Sequence, residues 1–286
     1  MQEVATNERQ VFFVCGAPKS GTTWLQRLLD AHPEILCSGE GHFIEHFSIP
    51  LAKVMRDYAG KMRLVADRVY EGEPYYTRLE QDALDRLVRT FVIDRLLSRD
   101  PGPEVRWIGD KTPRYATYLP HLMRIFPDAR FINIVRDPRD VALSRLHQAK
   151  RAGREGLTIA GTAERSAFIR DGGLDWVRNV EPIAPFAIAH PGRLHSIRYE
   201  DMIADPAREA GRLFAFLGAS TDRNLIDDAV AKTSFEALSG RKPGEEHPTS
   251  FLRKGIAGDW VGGLEHSAIA VLEQVAGPLM RTLGYV

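Results

Sequence analysis

The stretch Val11-Phe-Phe-Val-Cys-Gly-Ala-Pro-Lys-Ser-Gly-Thr-Thr-Trp24 decides the fold. Val11 to Cys15 is a short apolar run rich in β-formers, and Trp24, Leu25, Leu28 and Leu29 recur at helical spacing. A strand therefore feeds a glycine-bounded loop, and the loop feeds a helix. The free N–H groups at the start of that helix, together with the positive end of its macrodipole, favour an anion, and Gly16 and Gly21 allow backbone to approach it. The segment predicts a phosphate-holding turn.

The loop departs from that of ATP and GTP hydrolases, which ends Gly-Lys-Ser/Thr with the hydroxyl on magnesium. Here Lys19 precedes Gly21, and Thr22 and Thr23 follow it. The seven residues Pro18, Lys19, Ser20, Gly21, Thr22, Thr23 and Trp24 resemble the 5′-phosphosulfate loop of sulfotransferases that use 3′-phosphoadenosine 5′-phosphosulfate (PAPS). A glycine-rich strand-to-helix turn without a ligand is the alternative for this segment alone.

The rest of the chain sets bounds. Its 286 residues are read as a single domain over 1–286, since no Pro, Gly or Ser-rich linker and no repeat period divides them. With 38 basic and 38 acidic residues the formal charge is zero, which argues against extended nucleic-acid binding and for basic residues gathered locally. No apolar run reaches the ~20 residues of a membrane span. Met1 to Gln10 is polar and lacks the order of a signal peptide. Cys15 and Cys37 close the first two expected strands and read as buried free thiols, so a cytoplasmic, reducing location is expected.

Strand-like runs fall at Val11 to Cys15, Ile35 to Cys37, Val105 to Ile108, Phe131 to Val135 and Leu194 to Tyr199. Helical patterns cover Gly21 to Ala31, Glu80 to Leu97, Tyr115 to Phe126, Pro138 to Lys150, Gly173 to Ala189 and Asp205 to Leu217, and the tail after Gly262. Such alternation predicts a three-layer α/β fold of the P-loop nucleotide-hydrolase kind, a central parallel sheet flanked by helices with ligands at the strands' carboxyl ends. Gly41 to Tyr76 and Arg151 to Asp171 show weak periodicity and are candidate acceptor-facing segments.

A second strand–turn–helix runs Phe131-Ile-Asn-Ile-Val-Arg-Asp-Pro-Arg-Asp-Val-Ala-Leu-Ser144, with Pro138 in the first helical turn. It resembles the family's 3′-phosphate element, whose arginine and serine match Arg136 and Ser144. An arginine fork can donate two parallel hydrogen bonds to a phosphate. Taken alone, Arg136 could equally pair with Asp137 or Asp140 as surface charge. Phe251-Leu-Arg-Lys-Gly-Ile-Ala-Gly-Asp-Trp260 resembles the family's C-terminal clamp, which implies that Arg253, Lys254 and Gly255 close over the same phosphate. By the same resemblance Thr233, Phe235, Tyr199 and Trp24 would surround the adenine. The Lys-Thr-Val-Glu dimer motif of cytosolic members is absent from the sequence.

Cytosolic members place a basic histidine after a Lys-Thr or Lys-Ser pair, but here Asp110-Lys111-Thr112-Pro113 puts proline there. The segment Leu29-Asp-Ala-His-Pro-Glu-Ile-Leu-Cys-Ser-Gly-Glu40 instead resembles the tyrosylprotein and heparan sulfotransferases, whose glutamate after the second strand matches Glu40. That implies Glu40 as the base, effective if its site raises its pKa or if it bonds the acceptor hydroxyl directly. His42 and His46 are the alternative bases. Lys111, by resemblance, would stabilise charge near the sulfuryl group.

The activity implied is in-line transfer of a sulfuryl group from PAPS to a hydroxyl or amine of a small-molecule, glycan or peptide acceptor. By that resemblance the reaction requires no metal, and no His/Asp/Glu cluster in the sequence has metal-ligand spacing. Two other readings stand beside it. A small-molecule or nucleotide kinase is disfavoured by the missing Gly-Lys-Ser/Thr ending. A non-catalytic binder of adenosine 3′,5′-bisphosphate (PAP) would need neither Lys19 nor Glu40.

Overall fold

Strand β1, Gln10–Gly16, lies at the centre of a five-stranded sheet. A computed structural model describes residues 9–78, 80–247 and 252–286, so residues 1–8, part of the polar opening noted above, and Phe251 lie outside the described residues. Strands β2 (Ile35–Ser38), β3 (Trp107–Lys111), β4 (Arg130–Val135) and β5 (Leu194–Arg198) complete the order β2-β3-β1-β4-β5, every pair parallel. Because side chains alternate across a strand, Phe12 and Val14 enter the core on one face while Phe13 and Cys15 enter it on the other. Both faces are apolar because both are covered. The helices Thr22–Asp30 and Pro206–Leu217 pack on the Phe12 side, and Gln81–Leu97 with Leu119–Ile125 pack on the Phe13 side. The chain leaves β1 toward β2 and β3 on one side and later reaches β4 and β5 on the other. The carboxyl end of β1 is thus the switch point where such sheets hold ligands.

Four expectations about elements need correction. The third strand is Trp107–Lys111 rather than Val105 to Ile108. Gly109 reads as a strand breaker, yet a Cβ there would lie 2.5 Å from the Phe12 ring, so glycine is what lets β3 run on beside β1. The Tyr115 to Phe126 helix is a 3₁₀ segment, Pro113–Tyr118, followed by an α-helix only from Leu119 to Ile125. The Gly173 to Ala189 helix starts earlier, at Ala163, where the Thr162 hydroxyl accepts from Arg165 N. It breaks at Glu181-Pro182 before Ile183–Ala189, proline lacking the needed N–H. The aperiodic Gly41 to Tyr76 contains a π-helical turn, Phe43–Ser48, and a 21-residue helix, Ile49–Val69. Only Ala66 of that long helix is fully buried, and Val54, Tyr58, Val65 and Val69 stay exposed, so apolar residues on the outer side obscure the inward face of Leu51, Ala52 and Met55.

The C-terminal helix His266–Thr282 packs on Ala163–Val180. Both cysteines are buried and free. Among the described residues no helix is long and apolar enough to cross a membrane.

Candidate active site

The loop after β1 is shaped by backbone that ordinary side chains avoid. Gly21, at φ 97°, caps the helix Thr22–Asp30, and a Cβ there would lie 2.7 Å from the Tyr199 ring. Lys19 itself takes a left-handed φ of 74°, a strained choice for a non-glycine residue that is concentrated at functional sites. No side chain caps the helix and its first turn holds no acid, so its positive end is left for a ligand. Beside it opens a cavity of about 750 Å³ lined by Pro18, Lys19, Gly21, Thr22, Thr23 and Trp24. Ser20 does not reach its surface. It is fully buried beneath the loop, its Oγ lacking a hydrogen-bond partner.

Arg136 follows β4 directly and lines the same cavity with Ser144. The surface-charge alternative fails for it, since the residue is 7% exposed and lies 4.1 Å above the Tyr199 ring. Its Nη2 donates to Ile256 O at 2.9 Å and stands 3.4 Å from Asp140, while its Nε has no partner. Burial pushes the Lys19 ammonium down from 10.5 to about 8, and the nearby charges of Arg151, Arg136 and Arg253 push the same way. Four cations thus converge in a chain of zero net charge. Asp140 and Asp259 pair with two of them, and the cluster remains a place that attracts an anion.

Arg253, Lys254 and Gly255 also line the cavity. Two aspartates hold them from behind. Asp259 pairs with Arg253 and, at 3.0 Å, with Lys254. Asp140, fully buried, accepts from Gly258 N at 2.8 Å and from Trp260 N at 3.0 Å, tying the clamp to the helix Pro138–Arg151. Gly255, at φ 64°, would put a Cβ 2.3 Å from the Phe235 ring. The structure therefore brings the three motifs together and explains the glycine.

Trp24, Tyr199, Thr233 and Phe235, the residues expected around the adenine, line the apolar end. Trp24 Nε1 donates to Thr233 O at 2.9 Å, and its ring meets Tyr199 edge-on at 5.8 Å. The Thr233 hydroxyl is spent on Ala229 O at 2.7 Å, so its role at the wall is one of shape.

At the other end Glu40, two residues past β2, lines the cavity with His42, Pro113 and Arg114. Lys111, the last residue of β3, lies behind this wall, 3% exposed. Its Nζ donates to Glu40 Oε1 at 2.6 Å and reaches Thr23 Oγ1 at 3.5 Å. Glu40 Oε2 is 3.3 Å from His42 Nε2, and His42 Nδ1 is 3.6 Å from Glu45. His46 lines no part of the cavity, but its ring lies 5.1 Å from that of His42. Of the two conditions under which Glu40 could act as the base, a raised pKa is not met. Burial pushes it up, but the Lys111 hydrogen bond and charge, with those of His42, outweigh burial and hold it below the usual carboxylate value.

Sequence reasoning missed the residues that hold others in place. Asp110, held up at about 6 mainly by burial, accepts from Gly41 N, Thr112 Oγ1 and Tyr115 OH and so fixes the loop carrying Glu40 and His42. Asp140, Asp259 and Arg151 were equally invisible in role; the only signals were that Asp140 and Asp259 sit inside quoted motifs. Among the described residues no three His, Cys, Asp or Glu side chains are grouped to hold a metal ion.

A family model described as "Sulfotransferase family" matches residues 11–223, so the chain belongs to the sulfotransferase family and is an enzyme of that class. Protein-tyrosine sulfotransferase 1 of Homo sapiens is 25% identical over 279 residues, covering 96% of this chain and 69% of that protein. Protein-tyrosine sulfotransferase 1 of Danio rerio is 23% identical over 284 residues, covering 99% and 74%. Among solved structures, mouse sulfotransferase SULT7A1 complexed with PAP superposes with a TM-score of 0.58 at 18% identity, covering 96% of this chain and 85% of that one. The sulfotransferase domain from the curacin biosynthetic pathway gives 0.54 at 18%, covering 94% and 98%. These two likenesses show that the fold is shared.

Proposed function

We propose that the protein transfers a sulfuryl group from PAPS to an acceptor hydroxyl, with Glu40 as the base. The observation that carries this reading is that Lys19, Arg136 and Arg253 line one cavity at an uncapped helix start, in a chain with no net charge. The unpartnered Arg136 Nε suits a donor with a phosphate at that end, and the aromatic end suits a purine.

In this reading Lys19 and the N–H groups of Gly21 to Thr23 meet the negative charge that grows on the bridging phosphate oxygen as its bond to sulfur breaks. Groups placed where charge develops lower the barrier. Glu40 accepts the hydroxyl proton as the acceptor oxygen bonds to sulfur, so the products are a sulfate ester and PAP. A depressed pKa makes Glu40 a weak base while Lys111 holds it. The Lys111 ammonium lies between Glu40 and Thr23, so negative charge growing on the donor draws it toward the loop and frees the carboxylate as the proton must move. His42, backed by Glu45, orients the second carboxylate oxygen.

The relatives named as protein-tyrosine sulfotransferases favour a peptide tyrosine as acceptor. The test is PAP release from PAPS with tyrosine peptides, simple phenols, alcohols and glycans, without added metal. Tyrosine O-sulfate in the product supports the reading. Release with glycans or alcohols alone removes the peptide, and phosphoryl transfer from ATP instead of sulfuryl transfer removes the reading itself.

A further inference from the structure

Between the adenine side and the clamp lies Ser239-Gly240-Arg241-Lys-Pro-Gly-Glu-Glu246, a segment whose arginine has no place in the site described so far. Gly240, at φ 68°, ends the short helix Phe235–Ser239, and Arg241 N then donates to Ser239 Oγ at 3.2 Å. From there the guanidinium turns across the clamp. Its Nη1 donates to Arg253 O at 2.8 Å and to Glu245 O at 2.7 Å, and its Nη2 donates to Leu252 O. Its carbon lies 5.1 Å from the centre of the Phe235 ring, the same ring against which Gly255 is packed. A backbone bond from Gly244 N to Lys254 O, 2.8 Å, ties the two strands of this loop together. Arg241 is not part of the cavity wall.

We propose that Arg241 is a positioning residue. One planar fork holds the carbonyls of Leu252 and Arg253 and, through Phe235, the seat of Gly255, and so sets how firmly the clamp grips the 3′-phosphate. The carbonyls of 252 and 253 are drawn toward Arg241, while the Arg253 and Lys254 side chains, which line the cavity, pair with Asp259. Lysine cannot replace this, because a single ammonium on a flexible stem does not span carbonyls as a rigid fork does. The inference rests on the donor reading above.

The test is calorimetric titration of the parent, Arg241→Ala and Arg241→Lys with PAP and with adenosine 5′-monophosphate, which lacks the 3′-phosphate. Arg241→Ala is expected to weaken PAP about tenfold, the loss of roughly one charge-assisted hydrogen bond, and the monophosphate less than about twofold. Arg241→Lys recovers only part of the loss, and it carries the test alone if the alanine variant does not fold. Equal losses for both nucleotides in the lysine variant, or none, overturn the positioning role. A parent that does not prefer PAP to the monophosphate overturns instead the donor reading on which the role rests.

Discussion

Lys19 carries the most direct physical consequence of the charge cluster. Its ammonium is pushed from 10.5 down to about 8, mainly by burial and then by the charges of Arg151, Arg136 and Arg253. Between those two values the unfolded chain binds more protons than the folded one, so Lys19 destabilises the unliganded fold at neutral pH and the loss is recovered as pH rises through this window. Bound phosphate reverses the balance by favouring the ammonium. If PAP restores the pKa fully, its affinity falls by a factor of about 1 + 10^(pH − 8). That is negligible at pH 7 and about tenfold, ~1.4 kcal/mol, at pH 9. PAP is fully ionised above about pH 7.5, its phosphates having second pKa values near 6, so it contributes no slope of its own there. Titration from pH 7 to pH 9.5 in buffers of differing ionisation enthalpy should show this decline with matching proton uptake. The gain in melting temperature from PAP should shrink in parallel. Lys19→Met should bind weakly and without the slope. A flat profile in the parent, with no proton taken up at pH 9, would refute the argument that Lys19 sits among these cations at the phosphate.

Glu40→Gln keeps the shape but cannot take a proton, so turnover should drop by roughly 10²–10⁴ while PAP affinity measured by titration changes little; parent-like turnover, with His42→Ala inactive, gives the role to His42. Gly255→Ala forces a side chain into the Phe235 ring from a left-handed backbone, so the unliganded fold should lose about 1–3 kcal/mol, read in a denaturant melt, and PAP binding should weaken as the segment shifts away from Phe235; parent-like stability and binding would mean that this glycine does not set the position of the clamp. Asp140→Asn opposes an amide to two backbone N–H groups and strips Arg136 of its buried carboxylate, so it should destabilise the unliganded protein by about 3–5 kcal/mol, read in a denaturant melt, with PAP recovering part of the loss; a neutral effect would detach Asp140 from the clamp.

Strands β1, β2 and β4 could be read directly because they are buried on both faces and so appear as largely apolar runs, whereas β5 is only part-buried. What the sequence hid follows from the same physics. Gly109 looks like an end and is a fit between neighbouring strands. The helix Ile49–Val69 keeps several apolar residues exposed, which masks its inward face. Cavity-lining residues were legible where a particular backbone or a fork is demanded, as at Gly21, Lys19 and Arg136. The residues that hold them were not, because a buried aspartate and a solvated one look alike in sequence.

That difference bears on how the site works. Asp110 fixes the loop bearing the base, Asp140 the clamp, and Asp259 the two clamp cations, each on a different element. Asp140 pairs with Arg136, and Asp259 with Arg253 and Lys254, while the first turn of the helix after the loop carries no acid of its own. An anion bound at that uncapped start meets cations whose positions these pairs already fix, the arrangement that lets donors be set before the reaction rather than reorganised during it.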